Sequence, residues 1–461
     1  MSGGASGGRA GRAASRISVV TETFPPEING VAITLGRLVD ALRARGHAVS
    51  VVCPRRPRRE AEPEGGHVES AVSRTHGVAV PREERWRGRD DEVRVTRGHG
   101  ARLPRGGEPK DGDVESSGTR VRGAALPFYR DVRIGLPAGR ALRAAWADRR
   151  PDAVYIATEG PLGWSAVRAA RSLGIPALSG FHTDFPAYAS HYGIPWLAPA
   201  AWAYLRWFHN QTAGTLAASP ALRGRLIRAG FRDVTVVGRG VDADRFSPVH
   251  RSRDLRRAWG AGDADLVALS VGRLAAEKNI PLAIEAFRAM ARARPGTRLV
   301  IAGDGPLRAE LGRAHPDALF CGMLTGARLS AHYASADVFL FPSETETFGN
   351  VTLEAMASGL AVVAYDYAAA GAHIADGESG VLAPRGDAAA FVEGAAALAC
   401  IPERLPPMRR AARERAAAIG WAGVVSAFED AVLGARPAFI PIRSGARAAG
   451  SRGAARRPTW T

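Results

Sequence analysis

The sequence predicts an α/β protein of two domains, each built from alternating strands and helices. Three observations carry that expectation. At 461 residues with 46% hydrophobic side chains, the chain exceeds one ordinary domain and can bury two sizeable cores. Short apolar runs alternate with amphipathic stretches of helical period twice over, first from Ile17 and again from Leu266. Between the two series lies Gly238-Arg-Gly-Val-Asp-Ala-Asp-Arg-Phe-Ser-Pro, which reads as a linker. The expected division is a disordered tail 1–16, a first domain 17–238, a linker 239–247, a second domain 248–418, a last helix within 419–435 and a disordered basic tail 436–461.

In the first domain, Ile17–Thr21 reads as a buried strand, Ile33–Arg45 as a helix closed by Gly46, and His47–Cys53 as the next strand. The loop of this β-α-β unit ends in Asn29-Gly30 at the helix start. Gly30 is either a turn glycine or the point where a ligand phosphate approaches the backbone. No G-x-G-x-x-G is present, which argues against a dinucleotide oxidoreductase. From 55 to 122 Arg, Glu, Gly, Pro and Ser dominate without periodicity, so a disordered insertion is expected. Order resumes at Ala125-Leu-Pro-Phe-Tyr, with a helix over 137–149. Strands follow at 153–156, 176–181, 215–218 and 234–237, with helices to Leu173, over 195–212 and over 220–229. His182 falls at the end of a strand, beside Asp184 and Tyr188, where open parallel sheets place ligands; it is also the kind of residue that serves structure. Asp242 and Asp244 form a D-x-D, as some metal-dependent transferases use, but turn and capping chemistry explains them better.

The second series opens with a strand at 266–271 that runs into Gly272-Arg273 and Glu277-Lys278. Apart from Lys110 in the insertion, Lys278 is the one lysine in a chain that otherwise writes its cations as arginine. A surface role is possible; a phosphate contact is favoured, because ammonium and guanidinium suit different diphosphate oxygens. Helix 280–292, strand 299–302, the turn Gly303-Asp-Gly-Pro, a helix to Ala314 and strand 319–321 come next. Gly322-Met323 then precedes a helix to Ser335; with the turn at Gly303 it offers backbone groups for the floor of a base pocket. After 361–364, a short helix and a strand at 380–382, helices over 387–398, 408–418 and 424–433 complete the fold.

The second domain centres on 339–357, Phe-Leu-Phe-Pro-Ser-Glu-Thr-Glu-Thr-Phe-Gly-Asn-Val-Thr-Leu-Glu-Ala-Met-Ala. A buried strand (Val338–Phe341) turns through a polar loop into a helix near Gly349 or Asn350, with Glu346 in the loop and Glu354 one turn into the helix. Unpaired N–H groups at a helix start suit a diphosphate. Flanking carboxylates oppose a bare anion but accept hydrogen bonds from hydroxyls. Phosphate and polyol together mean a nucleotide sugar. The plainer alternative is a helix with an acidic first turn.

Composition excludes several classes. Cys53, Cys321 and Cys400 lie far apart without metal-ligand spacing, which fits a reducing cytosol. No apolar run nears the ~18–20 residues of a membrane span, and the first residues lack the apolar core of a signal peptide. A cytoplasmic location is expected, with peripheral attachment at the inner face of the plasma membrane an option. The formal charge of +17 suggests nucleic acid. However, the two tails and the insertion supply roughly +3, +6 and +3 of it, leaving a mildly basic core with no nucleic-acid motif. Basic charge with Trp196, Trp202 and Trp207 matches an anionic lipid surface better, although tryptophans also serve as core.

Taken together, these residues resemble the family 4 retaining glycosyltransferases of GT-B fold. The similarity rests on Glu346 and Glu354 seven residues apart, Gly272-Arg273…Lys278, Phe-Pro-Pro-Glu-Ile-Asn-Gly-Val and Gly-Val-Asp…Phe-Ser-Pro. Gly-Phe-His-Thr-Asp-Phe and Thr-Phe-Gly-Asn-Val-Thr-Leu-Glu-Ala-Met-Ala are most similar to GDP-mannose-dependent α-mannosyltransferases. The resemblance implies two Rossmann-like domains facing each other across a cleft, the last helix crossing back to the first. It assigns Arg273 and Lys278 to the donor diphosphate, Glu346 to hydroxyls of the transferred sugar and Glu354 to the ribose. Backbone around Phe348, Gly349, Asn350 and Val351 would help at the helix start. Gly30 would face the diphosphate and His182 the sugar, completing a donor set with Gly272 and Met323. The catalytic set is then His182, Glu346, Arg273 and Lys278. Asn29-Gly30 departs from the more usual Gly-Gly pair.

The expected reaction moves a hexose, mannose first among the candidates, from GDP-mannose to a hydroxyl of a lipid-linked or other polyol acceptor, with retention. It uses no metal or other cofactor. Three alternatives stay open: a UDP-sugar donor within the same family, a GT-B nucleotide-sugar epimerase, and a non-catalytic nucleotide-sugar binder.

Overall fold

The computed structural model describes residues 13–27, 29–55, 118–126, 129–184 and 195–436. The bulk of the expected insertion, most of both tails and Tyr188 lie outside the described residues. The first domain holds β1 (Arg16–Val20), α1 (Gly30–Ala44), β2 (Ala48–Pro54), β3 (Gly118–Val121), β4 (Gly123–Leu126), β5 (Tyr129–Gly135), α2 (Gly139–Asp148), β6 (Ala153–Ile156), α3 (Pro161–Ser172), β7 (Ala177–Gly180), α4 (Ala198–His209), β8 (Thr215–Ala217), α5 (Pro220–Arg228) and β9 (Val234–Val236). The second holds α6 (Arg253–Ala258), β10 (Val267–Val271), α7 (Ile280–Ala293), β11 (Arg298–Ala302), α8 (Arg308–Ala314), β12 (Ala318–Gly322), α9 (Gly326–Ser335), β13 (Val338–Phe341), α10 (Asn350–Ala357), β14 (Ala361–Tyr365), α11 (Ala368–His373), β15 (Gly380–Ala383), α12 (Ala388–Cys400) and α13 (Leu405–Ala417), followed by α14 (Trp421–Leu433).

Each series forms one parallel sheet. The first is seven-stranded in the order β3-β2-β1-β6-β7-β8-β9, and the second six-stranded in the order β12-β11-β10-β13-β14-β15. Helices cover both faces, which is why the central strands read as unbroken apolar runs rather than alternating ones: β6, β13 and β14 are buried at every position. Strand order reverses between β1 and β6 and again between β10 and β13. Loops at such reversals splay apart and leave a crevice beyond the carboxyl ends of the strands. The Gly30 loop follows β1, the Arg273–Lys278 segment follows β10, and the Glu346 loop follows β13, so topology alone brings all three to crevice mouths.

Several boundaries differ from the expectation. The segment expected to be disordered to 122 contains β3 at its end. Its short run Gly118-Thr-Arg-Val is stabilised by pairing with β2, from Val51↔Gly118 to Pro54↔Val121, rather than by any periodicity of its own. The next stretch is an antiparallel hairpin, β4–β5. Helix α1 begins at Gly30, three residues early, because the Asn29 carboxamide accepts the Ala32 N–H and caps it. The expected 195–212 helix divides into a 3₁₀ turn at Pro195–Leu197 and α4. Helix α13 starts at Leu405, since Pro406 and Pro407 occupy a first turn that needs no N–H donors. Short α6, capped by Ser252, was not foreseen.

The last helix returns to the first domain. Val425, Phe428 and Val432 of α14 join Ile17, Leu35, Leu38, Val51 and Tyr155 in one core. Glu429 pairs with Arg45 at 2.7 Å and lies 3.4 Å from His47 Nε2. Gly240 is pressed so close to the Trp421 backbone that a Cβ there would stand 2.8 Å from it.

Candidate active site

Beyond β13 the chain turns through Pro342–Phe348 and enters α10. Gly349 makes that entry at φ 87°, the left-handed region a side chain disfavours. Within the loop, Glu346 ion-pairs with Lys278 and accepts the Ser343 hydroxyl at 2.8 Å. The Tyr367 hydroxyl in turn donates to the Ser343 carbonyl at 2.5 Å, and Glu344 N–H to the Glu277 carbonyl at 3.1 Å. The loops after β10 and β13 are therefore stitched together, with Lys278 and Glu346 both largely buried at the seam.

Glu354 lies one turn into α10, where the Tyr333 hydroxyl donates to it at 3.1 Å. Burial lifts its carboxyl above the usual carboxylate range, opposed by the Tyr333 hydrogen bond and by Arg37 and Arg245. Arg37 reaches in from α1 of the first domain, 3.6 Å from Asp242 and 5.5 Å above the Trp421 ring. Asp242 also accepts the Arg245 N–H at 3.0 Å, the capping role expected of it.

The two domains meet around the start of α10. A Cβ placed on Gly30 would find Asn350 Nδ2 as its nearest neighbour, 3.9 Å away, so Gly30 and the α10 N-terminus face each other. The Thr347 hydroxyl donates to the main-chain carbonyl of His182 at 3.0 Å. Gly30, His182, Lys278, Glu346, Gly349, Asn350, Val351 and Glu354 thus gather at one mouth. Phe348 is buried, its ring against His373, and only its backbone belongs to that mouth. Gly272 and exposed Arg273 stand at the tip of β10, and Met323 just past β12 at the edge of the same sheet.

The His182 imidazole itself points into the first domain. Arg239 Nη2 donates to its Nδ1 at 2.8 Å, and Tyr155 Oη lies 2.6 Å from its Nε2. Burial and the Arg239 charge hold its pKa well below the usual histidine value. Asp184 pairs with Arg225 at 2.5 Å.

Arg239, Tyr155, Arg37, Ser343 and Tyr367 were missed by sequence reasoning. The flanking glycines of Gly238-Arg239-Gly240 were the one available signal. Glu22, after β1, was missed as well: burial raises its carboxyl to about 7 against the backbone of Gly135 and Leu162, with Glu159 adding to the rise. Of the three tryptophans, Trp202 packs on Phe181 and Phe231, whereas Trp196 and Trp207 are 73% and 45% exposed. Near Trp207, Trp164 shares an open groove between α2 and α3 with Arg140, Arg143 and Arg168.

Comparison with known proteins adds to this geometry. Residues 265–400 match the family model described as glycosyl transferases group 1, and residues 84–245 that of Glycosyltransferase Family 4. A GDP-mannose-dependent alpha-mannosyltransferase of Mycobacterium tuberculosis (strain CDC 1551 / Oshkosh) is 36% identical over 81% of this chain and 84% of its own length. One of the same name from Mycolicibacterium smegmatis is 33% identical over 76% and 80%. Among solved structures, Anabaena Alr3699/HepE in complex with UDP superposes with a TM-score of 0.63 at 16% identity, over 90% of this chain and 99% of that one. Sucrose-phosphate synthase from Thermosynechococcus elongatus gives 0.63 at 17% identity, over 90% and 98%. The shared architecture is the GT-B fold.

Proposed function

Because this chain belongs to glycosyltransferase family 4 and is a glycosyltransferase, we propose that it transfers mannose from GDP-mannose to a hydroxyl of a lipid-linked acceptor, with retention and without a metal ion. The observation that supports this most is the meeting of Gly30, the α10 N-terminus and the Lys278–Glu346 pair at one interdomain mouth. The relatives named for GDP-mannose support the donor.

In this reading the bond between the anomeric carbon and the diphosphate oxygen breaks, and its electron pair leaves with the nucleotide. Negative charge grows on the diphosphate, where Arg273, Lys278 and the N–H groups at Asn350 and Val351 meet it. Glu346 accepts hydrogen bonds from sugar hydroxyls and opposes the positive charge growing at the anomeric carbon. The acceptor oxygen attacks from the leaving-group face, passing its proton to a phosphate oxygen. Glu354 accepts the ribose hydroxyls, and Met323 flanks the base. His182 holds the strand tip beside the sugar.

The lipid acceptor is supported by the exposed Tyr204 and Trp207 beside the Arg140–Arg143–Arg168 groove and by the exposed Trp196 in the turn before α4, since aromatic and cationic side chains together suit a membrane interface. None of the described helices is long and apolar enough to cross a membrane, so attachment would be peripheral. Binding to anionic vesicles at low salt, lost in a Trp196→Ala/Trp207→Ala variant, tests it; equal binding by the variant removes the surface.

The donor is tested by thermal shift with GDP-mannose, GDP, UDP-glucose and UDP, each with and without EDTA. Stabilisation by the guanine pair, unchanged by EDTA, is expected. A response only to the uridine pair would move the protein to a UDP-sugar donor, the reading that the UDP-bound fold relative suggests.

A further inference from the structure

Arg239 sits in the linker between two glycines and is buried, yet among the described residues no carboxylate pairs with it. Burying an unpaired guanidinium is costly, and its visible partners are the Gly238 carbonyl at 3.3 Å and the His182 ring. A guanidinium can only donate, so Nδ1 of His182 must carry the lone pair. The ring proton then lies on Nε2 and is donated to the Tyr155 oxygen at 2.6 Å.

Among the described residues no carboxylate contacts the ring to stabilise a second proton: the buried Glu159, which follows β6, lies 3.2 Å from His209 Nε2 instead. Tyr155 comes from β6, His209 from α4 and Arg239 from the linker, while Asp184 is engaged by Arg225 of α5. Both partners of His182 are themselves held by α14: Phe428 packs edge-on against Tyr155 with ring centroids 4.8 Å apart, and Trp421 abuts Gly240.

We propose that Arg239 is a positioning residue that locks His182 as the neutral Nε2–H tautomer, so that its main-chain carbonyl, bonded to Thr347, and not its imidazole, is what the strand tip presents to the cleft. Neither ring nitrogen can then take a proton from an acceptor: one lone pair is occupied and the other position already carries hydrogen. The rate consequence rests on the transferase reading above, but the tautomer does not.

The test is long-range ¹⁵N–¹H NMR of imidazole-labelled full-length protein, with His182→Gln used for assignment. In the wild type, His182 should show the Nε2–H pattern and stay neutral between about pH 5.5 and 8, where an ordinary histidine titrates. Arg239→Met should restore titration, and Arg239→Lys should keep the ring neutral. For transfer, Arg239→Met should gain an acid limb of about tenfold between those pH values, absent in the wild type and in Arg239→Lys. An Nδ1–H pattern or ordinary titration in the wild type overturns the proposal, as does an Arg239→Met ring that stays neutral. If Arg239→Met does not fold, the wild-type spectrum decides alone.

Discussion

Lys278 ion-pairs with Glu346, and in the proposed reading that pair would couple the sugar side of the site to the diphosphate side. Lys278→Ala should lower kcat by about 10²–10³-fold, measured by release of nucleotide diphosphate at saturating donor. Full turnover in that variant would remove the assignment. Glu22 supplies a second test at this scale. Its folded pKa is raised to about 7, so the stability it contributes is complete below the ordinary carboxylate pKa and is lost as pH rises through 7. Glu22→Gln should therefore raise stability at pH 8 by about 1–3 kcal/mol relative to wild type and leave it little changed at pH 4.5, read from denaturant midpoints. His182 works in the opposite sense: its depressed pKa makes stability fall as pH drops below the usual histidine value. Lys278, Glu346 and Glu354 could be picked out in the sequence because a lone lysine and two spaced carboxylates are visible in one dimension. Arg239 and Tyr155 could not, since their role consists in flanking a side chain 57 and 27 residues away.

At the level of elements, α10 depends on how the chain enters it. An alanine at Gly349 would have to adopt φ near 87°, costing about 1–2 kcal/mol, and would turn the first N–H groups of the helix away from Gly30. Gly349→Ala should raise donor KM several-fold with a modest loss of melting temperature; unchanged KM would separate the helix start from donor binding. The strands and most helices were legible from apolar runs and their spacing. Exceptions have physical causes. β3 exists through its ladder with β2, and α1 and α13 begin early through a side-chain cap and through prolines that tolerate a first turn.

For the molecule as a whole, the Thr347–His182 hydrogen bond and the Gly30–Asn350 approach join two lobes that two alternating series had announced, and the Arg37–Asp242 pair ties the first lobe to the linker. The resemblance set Gly30 and His182 at the cleft, but the contacts they make, Gly30 with Asn350 and the His182 carbonyl with Thr347, were not readable, because they depend on the path of the linker and on α14. Phe428 anchors that helix in the first lobe's core and on Tyr155. Phe428→Ala should cost about 3–5 kcal/mol in guanidinium unfolding and loosen the first lobe before the second. Coincident loss of both lobes would show that they unfold as one unit.

The return of α14 has a consequence for biosynthesis. The ribosome makes the strands of the first lobe early, but Val425, Phe428 and Val432, which close its core, emerge only after every strand of the second lobe. The half begun first is finished last. A nascent chain arrested before Trp421 should accordingly present a second lobe that resists protease and a first lobe that does not.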